Sequence, residues 1–291
     1  MTTQNYQHAS GKSEATLVNY NTVRAAELKL TYQAIDDHVS DTTNVKQLKK
    51  RFTLGSDDHL EQCLEFLHAL DFIERPEVRV VRQINEDVFP SLSFEAKLLH
   101  HLRQQERPQD HLSRAQDVAF DKAPKTLDRE LLVTYLKRDL DYINWNKTKV
   151  NMWYRLYQGI GAIDYIESRE LVLSPSRALL YELLDAFQRI EGSNDFGEAV
   201  VWIEQHFMSV LSDRPGTAQL HQGTADTLQN LVNDGIVDVR GMADAQNEVT
   251  LPPTHSRSET PAIKEFTLND LPAELTAGYR HPLEKFAEVA E

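Results

Sequence analysis

Apolar residues recur at helical spacing along most of the chain, and three times that spacing gives way to two short β-type runs around a polar tip. In the first stretch Leu28, Tyr32, Ile35 and Val39 fall at offsets 0, 4, 7 and 11, one face of a helix. Val45, Leu48 and Phe52 mark a short second helix, with Asn44 placed to cap it. After a Leu54-Gly55-Ser56 turn, Leu60, Cys63, Leu64, Leu67 and Leu70 trace a third. The second stretch begins with Phe94, Leu98 and Leu102. Residues 103–125 are polar, include Pro108 and Pro124, and read as an inserted loop. Leu127, Leu131, Leu132, Tyr135 and Leu136 resume the helical pattern, followed by Val150, Trp153, Tyr157 and Ile160. In the third stretch Leu179, Leu180, Leu183, Leu184 and Phe187 predict one helix and Val200, Ile203, Phe207 and Val210 another. Leu228, Leu231 and Val232 predict a last one, with Thr224 as its cap.

Each stretch closes in the same way. Residues 70–74 and 78–81 flank an Arg75-Pro76-Glu77 tip; residues 160–166 and 171–173 flank a tip at 167–170; residues 232–239 and 249–251 flank a longer tip at 240–248. Short apolar β-runs around a turn-prone tip predict hairpins. Helix, helix, turn, helix, hairpin is the order of a winged helix. On the three hairpin signatures and the helix before each, the chain resembles the winged-helix branch of helix-turn-helix proteins, as a tandem array over roughly residues 23–252. That resemblance implies a mainly α fold with small β-hairpins (α+β), built from tandem winged-helix units. The expected boundaries are unit 1 at 21–88, unit 2 at 89–174 with its loop at 103–125, and unit 3 at 175–252. Residues 1–20 are polar and read as a mobile tail; 253–291 read as a Pro/Ser/Thr-rich linker followed by short amphipathic helices built on Leu268, Leu271, Leu275, Leu283, Phe286 and Val289. The alternative is an irregular α+β body whose hairpins do not define repeats.

Charge narrows the function classes. Asp and Glu total 45 against 31 Lys and Arg, a net −14. Proteins that coat nucleic acid non-specifically are normally basic, so any nucleic-acid role must rest on a local cationic face. An acidic surface also suits plain solubility or a salty cytoplasm. No run approaches the ~18 apolar residues of a membrane span, and the first twenty residues lack the apolar core of a signal peptide. Cys63 is the single cysteine, which excludes an intrachain disulfide. A cytoplasmic protein without membrane contact is expected.

In winged-helix proteins the third helix enters the major groove and the wing touches the backbone; this is what the resemblance implies. At ~100° per residue, the second unit's third helix sets Lys147, Thr148, Asn151, Arg155 and Gln158 opposite its apolar face. Arg and Lys match guanine acceptors and Asn or Gln pairs with adenine, so this is the expected base-reading face. The first unit sets Asp58, Glu61, Gln62 and Glu65 there, which would repel phosphate. Its Lys46, Lys49, Lys50, Arg51, Arg75 and Arg79 are instead candidates for backbone contact, with Arg82 also in the wing. The third unit offers Asp226, Gln229, Asn230 and Asn233, a face suited to protein contact.

No catalytic constellation emerges. Gly159-Ile160-Gly161 follows a helix and lacks the third glycine of a dinucleotide loop; His100 and His101 are adjacent and point apart; His206 and His221 are expected as surface or hydrogen-bonded core residues. Ser174 and Ser176 flank Pro175 at a helix start. Trp153 and Tyr157 are expected in the core, whereas Trp145 and Tyr154 are open to packing or to stacking on unpaired bases beside Lys147 and Lys149. Neither a cofactor nor a metal is expected. The leading expectation is a non-enzymatic protein that binds double-stranded DNA through unit 2, as a transcriptional regulator or as a subunit of a replication, segregation or defence complex. The alternative is an interaction scaffold, whose acidic faces and C-terminal helices meet a protein partner or a second copy. A metal-dependent nuclease using Asp164, Glu167 and Glu170 ranks third.

Overall fold

The computed structural model describes residues 16–35, 42–51, 57–84, 89, 91–166, 170–212, 218–241, 249–252 and 262–270. Among these residues the chain is a mixed α+β protein of ten α-helices and small sheets. A one-turn 3-10 segment, Leu17–Asn19, precedes α1 (Ala25–Gln33). β1 (Thr43–Asn44) then leads directly into α2 (Val45–Arg51), α3 (Asp57–Ala69), β2 (Ile73–Glu77) and β3 (Val80–Gln83). The three strands pair antiparallel in the order β1-β3-β2, with Thr43 opposite Val81 and Ile73 opposite Gln83. Asn44 does cap α2, its Oδ1 accepting from the Lys46 amide at 2.9 Å. The apolar stripe of α3 is buried as its spacing predicts, from Leu60 to Leu70. The hairpin tip is Val78-Arg79 and not residues 75–77. Pro76 lies within β2, tolerated because β2 is an edge strand with a register shift between Glu74 and Glu77. α1 ends at Gln33, so Leu28 and Tyr32 share it while Ile35 follows it; Val39 lies outside the described residues.

The second stretch comprises α4 (Phe94–Arg103), α5 (His111–Lys122), β4 (Thr126–Asp128), α6 (Arg129–Asp139), α7 (Lys147–Ile160), β5 (Asp164–Ile166) and β6 (Glu170–Val172), with strand order β4-β6-β5. From α5 onward it repeats both the element order and the strand order of α1 to β3. The loop expected at 103–125 is therefore corrected: it contains α5. Leu112, Ala115, Ala119 and Phe120 form its apolar stripe, but His111, Ser113 and Gln116 are buried beside them. Hydrophobic spacing misses a helix whose inner face is half polar.

The third stretch departs furthest. α8 (Arg177–Glu191) and α9 (Phe196–His206) precede β7 (Leu211–Ser212), β8 (Gln219–Leu220), α10 (Gln222–Asn233) and β9 (Val237–Arg240). β10 (Val249–Thr250), β11 (Ala262–Ile263) and β12 (Glu265–Leu268) follow. The expected hairpin between 232–239 and 249–251 does not form. β9 pairs antiparallel with β12, while β10 pairs parallel with β8 and antiparallel with β11. Leu268 is thus in a strand and not in an amphipathic helix; residues 271–291 lie outside the described ones. α10 is capped by His221, whose ring accepts from the Gly223 amide at 3.2 Å, and Thr224 is inside the helix.

All three stretches contribute to one continuous hydrophobic cluster. The expected tail also needs correction at 16–20. Leu17 and Val18 are fully buried, and their amides donate to Gln109 Oε1 at 3.2 Å and His111 Nε2 at 3.1 Å. α1 packs on α3, α4 and α7, with Lys29 pairing to Glu95 of α4 at 3.2 Å. Glu182 of α8 accepts from the Ser93 hydroxyl at 2.8 Å, and His221 Nε2 donates to the Ala123 carbonyl at 2.8 Å.

Candidate nucleic-acid interface

α7 is sharply delimited. Asn146 Oδ1 accepts from the Lys149 amide at 2.9 Å, and Gly161, at φ 86°, ends the helix. There the Ala162 amide returns to the Tyr157 carbonyl at 2.9 Å, a closure that left-handed glycine permits. Three faces follow from the 3.6-residue repeat. Val150, Trp153, Tyr157 and Ile160 enter the hydrophobic core, where Trp153 Nε1 donates to the Leu112 carbonyl at 3.0 Å. Met152 and Leu156, also buried, share a face with Gly159, and a Cβ on Gly159 would lie 3.0 Å from Ala25 Cβ of α1. The remaining arc carries the expected reading residues: Lys147, Thr148, Arg155 and Gln158 are exposed and Asn151 is half-buried.

These side chains are not bare. Lys147, whose side chain is 73% exposed, places Nζ 2.7 Å from Glu130 Oε1. Asn151 Oδ1 accepts from Arg129 Nη1 at 3.3 Å, and Arg129 is the first residue of α6, directly after the N-cap Asp128. Arg129 stands 5.4 Å and Arg155 5.9 Å from the centroid of the Tyr154 ring, and Arg155 Nε donates to Tyr154 Oη at 3.3 Å. Tyr154 is thus buried with two guanidiniums near its ring, and Trp145 is fully buried beside His111. Neither aromatic offers an open face for base stacking, which settles that alternative in favour of packing. Arg129, Glu130, Val133, Lys147, Val150 and Asn151 line a pocket of about 210 Å³ between α6 and α7. Burial lowers the Lys149 pKa; burial, and then the charge of Arg155, lowers that of Arg24.

The backbone candidates of the first unit divide. Lys46, Lys50 and Arg79 are exposed, and the Arg51 side chain lies outside the described residues. Lys49 Nζ lies 3.5 Å from Glu61 Oε1. Arg75 is withdrawn altogether: its side chain is 5% exposed, and Nη2 donates to Glu61 Oε2 at 3.1 Å. Glu61 of α3 therefore absorbs two of the cations that spacing assigned to phosphate, and Glu65 is buried. In the third unit Asp226 pairs with Lys125, and Gln229 Nε2 donates to Asn233 Oδ1 at 2.9 Å. His100 Nδ1 donates to the His206 carbonyl at 3.0 Å, and among the described residues no group of three or more His, Cys, Asp or Glu side chains is placed to hold a metal ion. Among the same residues no helix is long and apolar enough to cross a membrane.

Two cations at this face escape sequence reasoning, Arg129 and Arg24. The Asp128-Arg129 pair at a helix start is visible in the sequence, but its distance to Asn151 is set by how α6 crosses α7. Comparison with protein-family models, curated proteins and solved structures returned no match to this chain.

Proposed function

We propose that this chain is a non-enzymatic DNA-binding protein, a regulator or a subunit of a larger complex, that reads duplex DNA with α7. The repeated order helix, strand, helix, helix, hairpin, with strand orders β1-β3-β2 and β4-β6-β5, supports reading the first two units as winged helices and the third as a departed copy. The observation that carries the reading is the outward arc of α7. Thr148, Asn151, Arg155 and Gln158 share it, with Arg129 behind Asn151, in a molecule of net charge −14. Bidentate donors for guanine and adenine edges are concentrated there, against a net negative charge that repels phosphate from the molecule as a whole.

A fluorescence-anisotropy titration of duplex DNA between about 50 and 200 mM salt tests this. Binding should weaken steeply with salt. Lys147→Ala with Arg155→Ala should cost about 1–3 kcal/mol and flatten the slope, most of it from Arg155 because Lys147 already meets Glu130. Equal binding by wild type and the double variant would remove α7 as the reading element.

A second reading, an interaction scaffold, is favoured by a groove of about 580 Å³ on the third unit. Phe187, Trp202 and Val201 form its apolar part and Glu191 and Glu198 its acidic part. A stoichiometric basic partner, with no DNA retained at 50 mM salt, would decide for it.

A further inference from the structure

The contact between α1 and α7 brings a second arginine to the edge of the proposed reading face. Arg24 is the N-cap of α1 and immediately precedes Ala25, the residue packed against Gly159. Arg155 stands one helical turn before Gly159, at the border between the outward arc of α7 and its α1-facing side. Both guanidiniums are anchored by neutral groups. Arg24 Nη1 donates to the Asn21 and Val23 carbonyls at 3.1 and 2.8 Å, and Arg155 Nε donates to Tyr154 Oη.

Several other arginines are already engaged by acids. Arg75, Arg82, Arg103, Arg114, Arg138, Arg177 and Arg189 each pair with a carboxylate. In a chain with 45 acidic residues, Arg24 and Arg155 form no such pair among the described residues; the packing of Ala25 on Gly159 instead brings their two helices together at these positions, and burial, then the charge of Arg155, lowers the pKa of Arg24. The carboxylate nearest in influence, Glu27, lies 3.1 Å from His59 Nε2. Two like charges held together by packing form a ready seat for an anion, and the planar guanidinium fork matches phosphate oxygens.

We propose that Arg24 and Arg155 close together on one backbone phosphate of the duplex that α7 reads, so that the first unit completes the binding site of the second. This rests on the DNA-binding reading above, moves Arg155 from the base edges to the backbone, and adds a positioning contact from another unit. Such a contact sets register on the duplex and carries no sequence information.

The test is the same titration on the full chain with Arg24→Ala, Arg24→Gln, Arg24→Lys, Arg155→Ala, the Arg24→Ala/Arg155→Ala pair, and Arg240→Ala as an exposed control on β9. Thermal melts establish folding, and Arg24→Gln stands in if the alanine variant is unstable. Removing the Arg24 charge should weaken binding about tenfold and reduce the log–log salt slope by about 0.9, equally for cognate and unrelated duplexes. Arg24→Lys should keep the slope. The double variant should lose little beyond Arg155→Ala, because one phosphate is shared. Wild-type affinity in Arg24→Ala and Arg24→Gln alongside a loss in Arg155→Ala overturns the clamp and leaves the DNA reading standing. So does an additive loss in the double variant, or an equal loss in Arg240→Ala. Absence of duplex binding by the wild type at 50 mM salt sinks both.

Discussion

His111 ties two distant segments through its two ring nitrogens. Nε2 accepts from the Val18 amide at 3.1 Å, so the proton sits on Nδ1, which donates to the Pro108 carbonyl at 2.7 Å. The imidazole must stay neutral to do both. Burial drives its pKa down to about 4, against the smaller raising effects of the Pro108 carbonyl and Asp110 and alongside the lowering charge of Lys149. Unfolded, the ring titrates near 6.5, so between about 6.5 and 4 the unfolded chain carries a proton that the native protein does not. Stability should therefore be fully present above pH ~6.5 and fall with pH through that window, by up to about 3 kcal/mol from this residue. His221, also lowered chiefly by burial, acts in the same direction. Urea midpoints at pH 7 and 4.5 for wild type and His111→Gln would check this. The variant should start less stable and lose less on acidification; identical losses would assign the acid sensitivity elsewhere. Nothing in the one-dimensional pattern marks His111 as buried, because its partners lie 93 and 3 positions away, and only the nearer is a neighbour in sequence.

Among the helices, periodicity located α1 to α4 and α6 to α10, since each has apolar residues on a 3.6-residue repeat. It lost α5, whose inner face includes His111 and Gln116. It also misjudged how α10 starts. The N-terminal turn of α10 abuts the chain leaving β6, and a Cβ at Gly223 would lie 1.8 Å from the Leu173 carbonyl oxygen and 2.7 Å from its carbon. Backbone cannot yield as a flexible side chain does. Gly223→Ala should cost about 2–3 kcal/mol, read as a lowered unfolding midpoint. Gly192→Ala is the contrasting control. At φ +66° it meets no neighbour within 4 Å and should cost only about 1 kcal/mol, from backbone conformation alone. Equal effects would mean that α10 has room to retreat from β6.

The described residues share one hydrophobic core, and β12 is the clearest sign of it. Residues 262–268 follow a Pro/Ser/Thr-rich segment that reads as a linker, yet they return to pair with β10 and β9 and bury Phe266 against Phe187 and Phe196. Phe266→Ala should destabilise the protein by about 3–5 kcal/mol, the cost of an emptied aromatic site in a core. A truncation after residue 252 should do at least as much. Unfolding followed by tryptophan fluorescence and by far-ultraviolet circular dichroism is the measurement; a truncated chain with an unchanged midpoint would show residues 262–268 to be a dispensable attachment.

The amphipathic repeat by itself determined that this chain builds helices punctuated by short strands, and it placed Lys147, Thr148, Asn151, Arg155 and Gln158 together on one helical arc. Such features depend on neighbours within a few positions, where covalent geometry dictates which side chains share a face. Tertiary structure alone decided which strands pair, that Arg75 is spent on Glu61, that Tyr154 lies buried near Arg129 and Arg155, and that Arg24 stands beside α7. Those outcomes depend on groups tens of positions apart in sequence, and burial and charge pairing select them only once the helices have packed.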